Sequence, residues 1–373
     1  MKWKRAGGRY TAFPTLLIDV AKRRNEVLVA FPGVPRRKRL SVLNTRDEHD
    51  RFIAFLTVLG APVVAAFEAT GNCHRPIARR LIDAGIDVRL ISSTALARTR
   101  EALHNGWDSR RGPWPQWGRV SPEDDPKDAQ AMLHMMQIGA TQVYQDPIGA
   151  GINDIQELSK THEMVSKAKT ELWHRVLTHD LPLYCPEAER FNGGARTDAF
   201  LALLEADPTP ASITAMSETD FIAAAWEVAG RKVSKERCLS DVYRTAMNSV
   251  ALPITPDPEA IAMFRMVLAE GRSLLRQRNA IEKRAEAMLG AHPDYRRLKT
   301  IPGIGPVNAL TVLAEAGDLR RFGHHRQFLK FCGLDRATHQ SGQFRGQTKI
   351  AKFGNARLRR SLWLAGQGAI SQR

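Results

Sequence analysis

The sequence predicts an α/β N-terminal domain followed by a helical remainder, and three observations carry that prediction. Over roughly the first 145 residues, short apolar runs bounded by turn residues alternate with segments whose apolar residues recur three and four apart. From about Ile152 to Leu289 the pattern is helical, broken by turn-rich stretches such as "RFNGGARTD" and "LPITPDPEA". Beyond it, "LKTIPGIGPVNALTVLAEAG" sets a glycine-rich turn before an apolar helix. The expected boundaries are 1–147, 148–295 and 296–373.

Element by element, "TLLIDVAK" reads as a buried strand and "NEVLVAFPG" as a second that ends at a Pro-Gly turn. "RKRLSVLNT" alternates polar and apolar residues as a third strand. "RDEHDRFIAFLTVLG" has helical spacing, with Phe52, Phe55 and Leu59 on one face. "PVVAAFEATG" is a buried strand, "HRPIARRLIDAG" a helix ending at Gly85, and "IDVRLIS" a strand. "DPKDAQAMLHMMQIG" closes the series as a helix with Ala129, Leu133 and Met136 on one side. Three strands joined by hairpins, followed by α-β-α-β-α, is the order of the ribonuclease H-like fold. The intervening stretch "REALHNGWDSRRGPWPQWGRVSPED" has no period and reads as a long loop. Its Trp107, Trp114 and Trp117, beside Arg110 and Arg111, suit either stacking on nucleic acid or packing a lid on the domain.

In the helical middle, Ala260, Phe264, Val267, Gly271, Leu274, Arg278, Ile281, Ala285 and Met288 alternate four and three apart. That is a heptad seam flawed at Gly271 and Arg278. A shorter seam of Ile155, Leu158, Val165 and Leu172 is interrupted by His162 and Lys169. The two fit a helical hairpin packed on itself or a coiled-coil dimerisation arm.

The chain of 373 residues has a formal net charge of +16, a pI near 10.1 and 43% hydrophobic residues. It can bury ordinary cores, which excludes a disordered or fibrous protein. From Arg296 to Arg373, 15 Lys and Arg stand against 3 Asp and Glu, so +12 of the +16 sits in the last fifth of the chain. A basic surface so concentrated is built for a polyanion, nucleic acid before an acidic membrane. The four scattered cysteines form no CxxC pair, so neither a disulfide framework nor a zinc site is expected, and a reducing cytosol fits. "MKWKRAGGRY" is followed by no apolar signal core. The most apolar run, Phe52 to Phe67, is broken by Gly60 and Pro62. A cytoplasmic protein with no membrane partner is expected.

Against that basic background, "EDDPKDAQ" concentrates acids. Asp125, Pro126 and Asp128 can be helix-capping residues. Asp125 and Asp128, three apart, can instead direct two carboxylates to one divalent metal. Cleaving a phosphodiester with two metal ions takes three or four carboxylates, and two more occur at suitable places. Asp19 lies within an apolar strand, where an acid is costly without a task. Glu68 ends the fourth strand, which neighbours the first in a ribonuclease H-like sheet.

Three features mark the C-terminal segment. Pro302-Gly303-Ile304-Gly305 has the helix-hairpin-helix form, whose backbone N–H groups at Gly303 and Gly305 can hold a phosphate; a plain inter-helix turn is the other reading. Ser341-Gly342 lies in a polar loop flanked by Arg345, Lys349 and Lys352. The helix "NARLRRSLWLAG" adds Arg357, Arg359 and Arg360. A Ser-Gly pair is ordinarily a turn; a serine among cations can attack a phosphodiester while the cations stabilise the developing charge.

The succession LIDVAK, FEATG, DPKDA, a helical middle, PGIGP, "RRFGHHRQFLKFCGL", QSG and "KIAKFGNARLRRSL" resembles the insertion-sequence-110 family of transposases over nearly the whole chain. The resemblance implies a RuvC-like nuclease domain, a coiled-coil middle and a small helical transposase domain. It further implies RNA-guided DNA strand cleavage and exchange that moves an insertion sequence. By position, Asp19, Glu68, Asp125 and Asp128 match the family's DEDD metal set, binding Mg2+ or Mn2+, and Ser341 matches its nucleophilic serine, which forms a transient phosphoserine link. Implied partners are donor and target DNA, a structured noncoding bridge RNA, and further copies in a homodimer or homotetramer whose active site joins carboxylates and serine from different subunits. Two departures stand out: the loop 101–121 is longer than usual before DxxD, and family members commonly carry more helix after the serine motif. The alternative is a metal-dependent Holliday-junction-type endonuclease that uses the carboxylates and water without serine chemistry. A third reading is a nucleic-acid-binding scaffold without activity.

Overall fold

The computed structural model describes residues 13–60, 62–68, 71–103, 125–192, 197–228, 234–254, 258–341 and 344–371. The chain forms two compact units, Met1–Ala150 and Gly151–Arg373. Among the described residues, no helix is long and apolar enough to cross a membrane.

The first unit is built on one mixed sheet. Strands β1 (Thr15–Asp19), β2 (Arg24–Ala30) and β3 (Lys38–Leu43) form an antiparallel meander. The chain continues through α1 (Arg46–Val58), β4 (Val64–Glu68), α2 (His74–Asp83), β5 (Asp87–Ile91), α3 (Ser93–Leu103), α4 (Asp125–Gln137) and β6 (Gln142–Val143). The sheet order is β3-β2-β1-β4-β5-β6, with β4 parallel to both β1 and β5, and β6 antiparallel at the edge. The succession β1–β3, α1, β4, α2, β5 and α4 is the order anticipated from the sequence; α3 and the short edge strand β6 were not anticipated.

β1 and β4 are central and covered on both sides, so they read as unbroken apolar runs. Leu16, Ile18, Ala65 and Phe67 pack against Phe52 and Leu56 of α1 and Ile77 and Leu81 of α2. Leu17, Val64 and Ala66 point the other way, onto Leu96 of α3 and Met132, Met135 and Met136 of α4. Each buried Val, Leu, Ile, Phe or Met among them contributes about 1.5–3 kcal/mol. The stretch expected to be loop from Arg100 is corrected at its start: residues 100–103 finish α3, whose last turns also pair with α4. The tryptophan- and arginine-rich remainder, including Glu123 and Asp124, lies outside the described residues.

In the second unit, α5 (Asn153–Arg175) runs through a π-helical turn (Val176–Asp180) into α6 (Leu181–Tyr184). There follow α7 (Thr197–Ala206), α8 (Pro210–Thr214), α9 (Glu218–Ala225), α10 (Lys235–Met247) and the 31-residue α11 (Glu259–Leu289). The chain continues with α12 (Pro293–Lys299), α13 (Pro306–Ala316) and α14 (His325–Cys332), then a hairpin of β7 (Arg336–Ser341) and β8 (Phe344–Ile350), and α15 (Ala356–Ser371).

α5 and α11 lie against each other, Leu172 meeting Gly271 and His162 meeting Glu282, so they run antiparallel. The seam is thus spent inside the chain, as a helical hairpin. Its flaws answer one another. Gly271 gives way to the Leu172 side chain, while Glu282 accepts from Arg278 Nε at 2.9 Å and bonds His162 Nε2 at 3.1 Å. The seam's ends differ from the heptad expectation. Ile261 and Leu268 are buried rather than Ala260 and Val267, because Phe200, Leu201 and Leu204 of α7 also press on this half. Leu289 replaces Met288, the drift a 3.6-residue helix makes against a seven-residue repeat.

The C-terminal segment is not purely helical as expected, since β7 and β8 occupy what read as a polar loop. Neither strand alternates apolar with polar residues, so the period-two signal is absent from "RATHQS" and "FRGQTKI".

Candidate functional site

The acids of the first unit meet through strand register. Ile18 pairs with Phe67 across the parallel β1–β4 ladder, so Asp19 and Glu68 take the next position on adjacent strands. Alternation fixes their side: Leu17 and Ala66, two residues back, face α4, and so Asp19 and Glu68 project toward the α4 face as well. Both stand at C-terminal strand ends, where the backbone leaves the sheet and a polar side chain reaches water. Asp19 is exposed and Glu68 half-buried.

α4 brings Asp128 to that face. Asp128 lies one helical turn before Met132, which packs on the same layer as Leu17. Its Oδ1 accepts from Arg100 Nη1 of α3 at 2.7 Å. Asp125 opens α4; its side chain lies outside the described residues. Among the described residues, no three His, Cys, Asp or Glu side chains gather closely enough to hold a metal ion. The donor chemistry, all carboxylate oxygen, is that of a hard divalent cation such as Mg2+. Asp128 would exchange Arg100 for the metal.

Beside the acids opens a cavity of about 420 Å³, lined by Asp19, Leu17, Glu26, Arg37, Arg39 and, from α4, Ala129, Gln130 and Met132. Glu26 stands directly across from Asp19 in the β1–β2 ladder, and Ser41 directly across from Glu26 in β2–β3. Glu26 accepts from Ser41 at 3.2 Å and pairs with Arg24 at 2.6 Å. Sequence reasoning missed Glu26, Arg37, Arg39 and Gln130. Alternation along "NEVLVAF" was a signal for the face of Glu26, but only the hairpin register sets it beside Asp19.

The C-terminal candidates separate by surroundings. Ser341 is the last residue of β7 and pairs with Phe344 at the hairpin tip; its side chain and that of Arg345 lie outside the described residues. Lys349 and Lys352 are exposed, Lys352 with a left-handed φ of 58°. Arg360 is exposed at the mouth of a cleft between α5, α13 and α15. Arg357 turns inward instead: it donates to Glu163 at 2.5 Å, to Ser159 at 3.1 Å and to Glu315. Arg359 donates to the carbonyls of Cys332 at 3.0 Å and Lys352 at 3.2 Å, closing the end of α14. Gly303 (φ +83°) is the point at which α15 comes closest, since a Cβ there would collide with the Ala365 carbonyl. Gly305 is open and immediately precedes α13.

Residues 295–373 match the family described as "Transposase IS116/IS110/IS902 family". The chain is 35% identical over 115 residues to the "Transposase for insertion sequence element IS1111A" of Coxiella burnetii, 29% of this chain and 32% of that protein. It is 32% identical over 89 residues to the "Insertion element IS110 uncharacterized 43.6 kDa protein" of Streptomyces coelicolor, 24% of this chain and 22% of that one. A "Probable family 20 transposase" of Pseudomonas aeruginosa is 35% identical over 90 residues, 24% of this chain and 26% of that one. The matched stretches span about a third or less of these relatives' length. Among solved structures, RuvC of T. thermophilus in complex with a Holliday junction substrate covers 35% of this chain and 99% of its own at 13% identity, with a TM-score of 0.24. At that score the likeness adds nothing to the topology read directly from the sheet.

Proposed function

This chain belongs, by its C-terminal segment, to the IS116/IS110/IS902 family of transposases, and on that premise we propose that it cleaves and exchanges DNA strands to move an insertion sequence, guided by a structured noncoding RNA. The supporting observation is the register that sets Asp19 and Glu68 at equivalent ends of adjacent parallel strands, on the face covered by α4. Asp19, Glu68, Asp125 and Asp128 would hold the divalent metal, Mg2+ or Mn2+. When bound there, such a metal supplies Lewis-acid activation of the scissile phosphate and neutralises charge on the reacting oxygens.

Ser341 is the proposed nucleophile. Its Oγ bonds to phosphorus and gives up its proton, while the bond from phosphorus to the leaving sugar oxygen breaks and that oxygen is protonated. Arg345, next to the hairpin tip, and Lys349, Lys352 and Arg360, at its base and on α15, would neutralise successive phosphates of the bound DNA. Arg357 and Arg359, with their donors engaged inside the second unit, would fix the position of α15 relative to α5, α13 and α14 rather than touch DNA. Gly305, at the open start of α13, suits a backbone phosphate, whereas Gly303 serves the approach of α15. The three-part division into 1–147, 148–295 and 296–373 belongs to the same proposal.

The test is covalent capture. Full-length protein, its co-purifying RNA and labelled element-end DNA in Mg2+ should give a protein–DNA adduct that Ser341→Ala abolishes without loss of DNA binding. Glu68→Gln should also prevent it. An adduct that persists in Ser341→Ala would sink the serine assignment. Cleavage of branched DNA without RNA, indifferent to Ser341→Ala, would replace the proposal with the endonuclease alternative.

A further inference from the structure

Two arginines near the acids have no partner among the described residues. Arg37 and Arg39 lie on the edge strand side of the β2–β3 ribbon, both exposed and both lining the cavity that contains Asp19. Neither makes an ion pair or hydrogen bond among the described residues. Glu26, which lines the same cavity, pairs with Arg24 and accepts from Ser41.

Their direction is set by strand alternation. Lys38, between them, crosses to the other face, where its Nζ sits 4.5 Å from the centre of the Phe55 ring, and Leu40 packs on the α1 layer. Arg39 therefore shares the α4 side with Asp19, and Arg37, one residue before β3, lines the same cavity. Register gives the distance. Arg39 is opposite Leu28, which is opposite Leu17, one side-chain row from Asp19. Two strand spacings of ~4.8 Å and one row of ~6.8 Å put the two backbones about 12 Å apart. An extended arginine spans half of that.

α4 packs mainly on β1 and β4, and the cavity beside the acids opens between it and the β2–β3 ribbon. Cations on an edge strand also discourage strand addition, but that role makes no demand on which face they occupy. Guanidinium groups match phosphate oxygens in pairs, which an ammonium does not. Two of them, two residues apart where β3 begins and beside the carboxylate pair, make a track for successive phosphates.

We propose that Arg37 and Arg39 form a phosphate clamp that holds the backbone of the DNA strand to be cut across the β2–β3 ribbon and leads it to Asp19 and Glu68. The clamp deepens the proposed function and rests on it. Arg37 and Arg39 are positioning residues: they hold phosphates flanking the reacting one.

Binding of the full-length protein to a labelled DNA duplex, measured in EDTA over a range of salt, tests the clamp apart from cleavage. Each lost phosphate contact lowers the slope of log K against log salt by ~0.9. Arg37→Ala with Arg39→Ala should lower it by roughly 1.8 and weaken binding about tenfold or more at moderate salt. Replacing both by Lys should restore most of the slope, and Lys38→Ala should leave it unchanged. A wild-type slope in the double alanine variant, with an unchanged melting temperature, would overturn the clamp. So would a loss confined to an RNA duplex of the same sequence. If Glu68→Gln stops cleavage while the double variant cleaves and binds normally, the clamp fails and the functional reading stands. No DNA binding by the wild type would end both.

Discussion

Arg357 shows how little a residue type says about its task. In the sequence it is one of three arginines in "NARLRRS", alike in charge and spacing. In the fold, Arg360 faces solvent, Arg359 closes a helix end, and Arg357 joins Glu163 of α5 to Glu315 of α13. Glu315 keeps only 14% of its side-chain exposure and also accepts from Asn355 at 2.6 Å. Arg357→Ala leaves that carboxylate without its cation. A fully buried pair broken this way costs about 3–5 kcal/mol, and partial solvent access reduces the expected loss to about 2 kcal/mol. Urea unfolding of the variant measures it. The same cluster carries a pH dependence. Hydrogen bonding from Lys167, outweighing partial burial and assisted by Arg357, holds the Glu163 carboxyl below its ordinary value of 4.5. A carboxyl with a lowered folded pKa contributes stability that is present above 4.5 and lost as pH falls through the lowered value. Glu163→Gln should therefore flatten the acid limb of the stability curve below about pH 4.5 and leave its neutral region the same shape. An acid limb as steep as the wild type's would remove Glu163 from the account. Such assignments were illegible beforehand, because charge and spacing fix a residue's helix face but not the acid that another helix brings to it.

At the scale of elements, the legible ones were those whose apolar period matches their burial. β1, β4, α1, α2 and α4 announce themselves in "LLID", "VVAAFE" and the helical runs, and the strand order follows from hairpins and crossovers. α5 and α11 were legible as helices, but whether their seams met each other or a second copy was open until His162 and Arg278 were found sharing Glu282. The β7–β8 hairpin was not legible, since neither strand alternates apolar with polar residues. The α5–α11 contact makes a size-graded prediction. A Cβ at Gly271 would lie 3.0 Å from the Leu172 Cδ2, the tip of a flexible side chain, and 3.6 Å from Leu201 Cδ1. Alanine gains up to ~1 kcal/mol of helix propensity over glycine and needs only a small yield from Leu172. Gly271→Ala should thus be close to neutral. Gly271→Leu must push Leu172 aside to reach the cavity of about 230 Å³ that Gly271 lines with Leu172, Trp173 and Leu201, and should cost about 1–3 kcal/mol through overpacking. Thermal unfolding of the pair provides the measurement. Equal melting temperatures for both would mean the seam is looser than the contact implies.

The whole molecule divides its chemistry between two compact units. The candidate carboxylates belong to the first and Ser341 to the second, with most of the net charge in the last fifth of the chain. Composition shifts along the sequence from alternating strands and helices to a basic segment with its own glycine turn, with the four candidate acids before that shift and Ser341 after it. Which copy's carboxylates serve which copy's serine is not a property of sequence pattern, since motif order along one chain is the same for either pairing. Mixing two inactive variants distinguishes the pairings. Suppose that the protein works as a symmetric dimer and that each reaction centre takes its acids from one subunit and its serine from the other. A heterodimer of Glu68→Gln and Ser341→Ala then has one centre with both defects and one with neither. Random mixing makes half the dimers heterodimers, so about a quarter of wild-type centres should be regained. If acids and serine of one chain work together, every centre in every dimer carries a defect, and nothing is regained. Adduct formation by the co-refolded or co-expressed pair, with each variant alone as the zero, reads the difference. A regained fraction near a quarter establishes shared centres; a value indistinguishable from the single variants rejects them and makes each chain's two units partners in the same reaction.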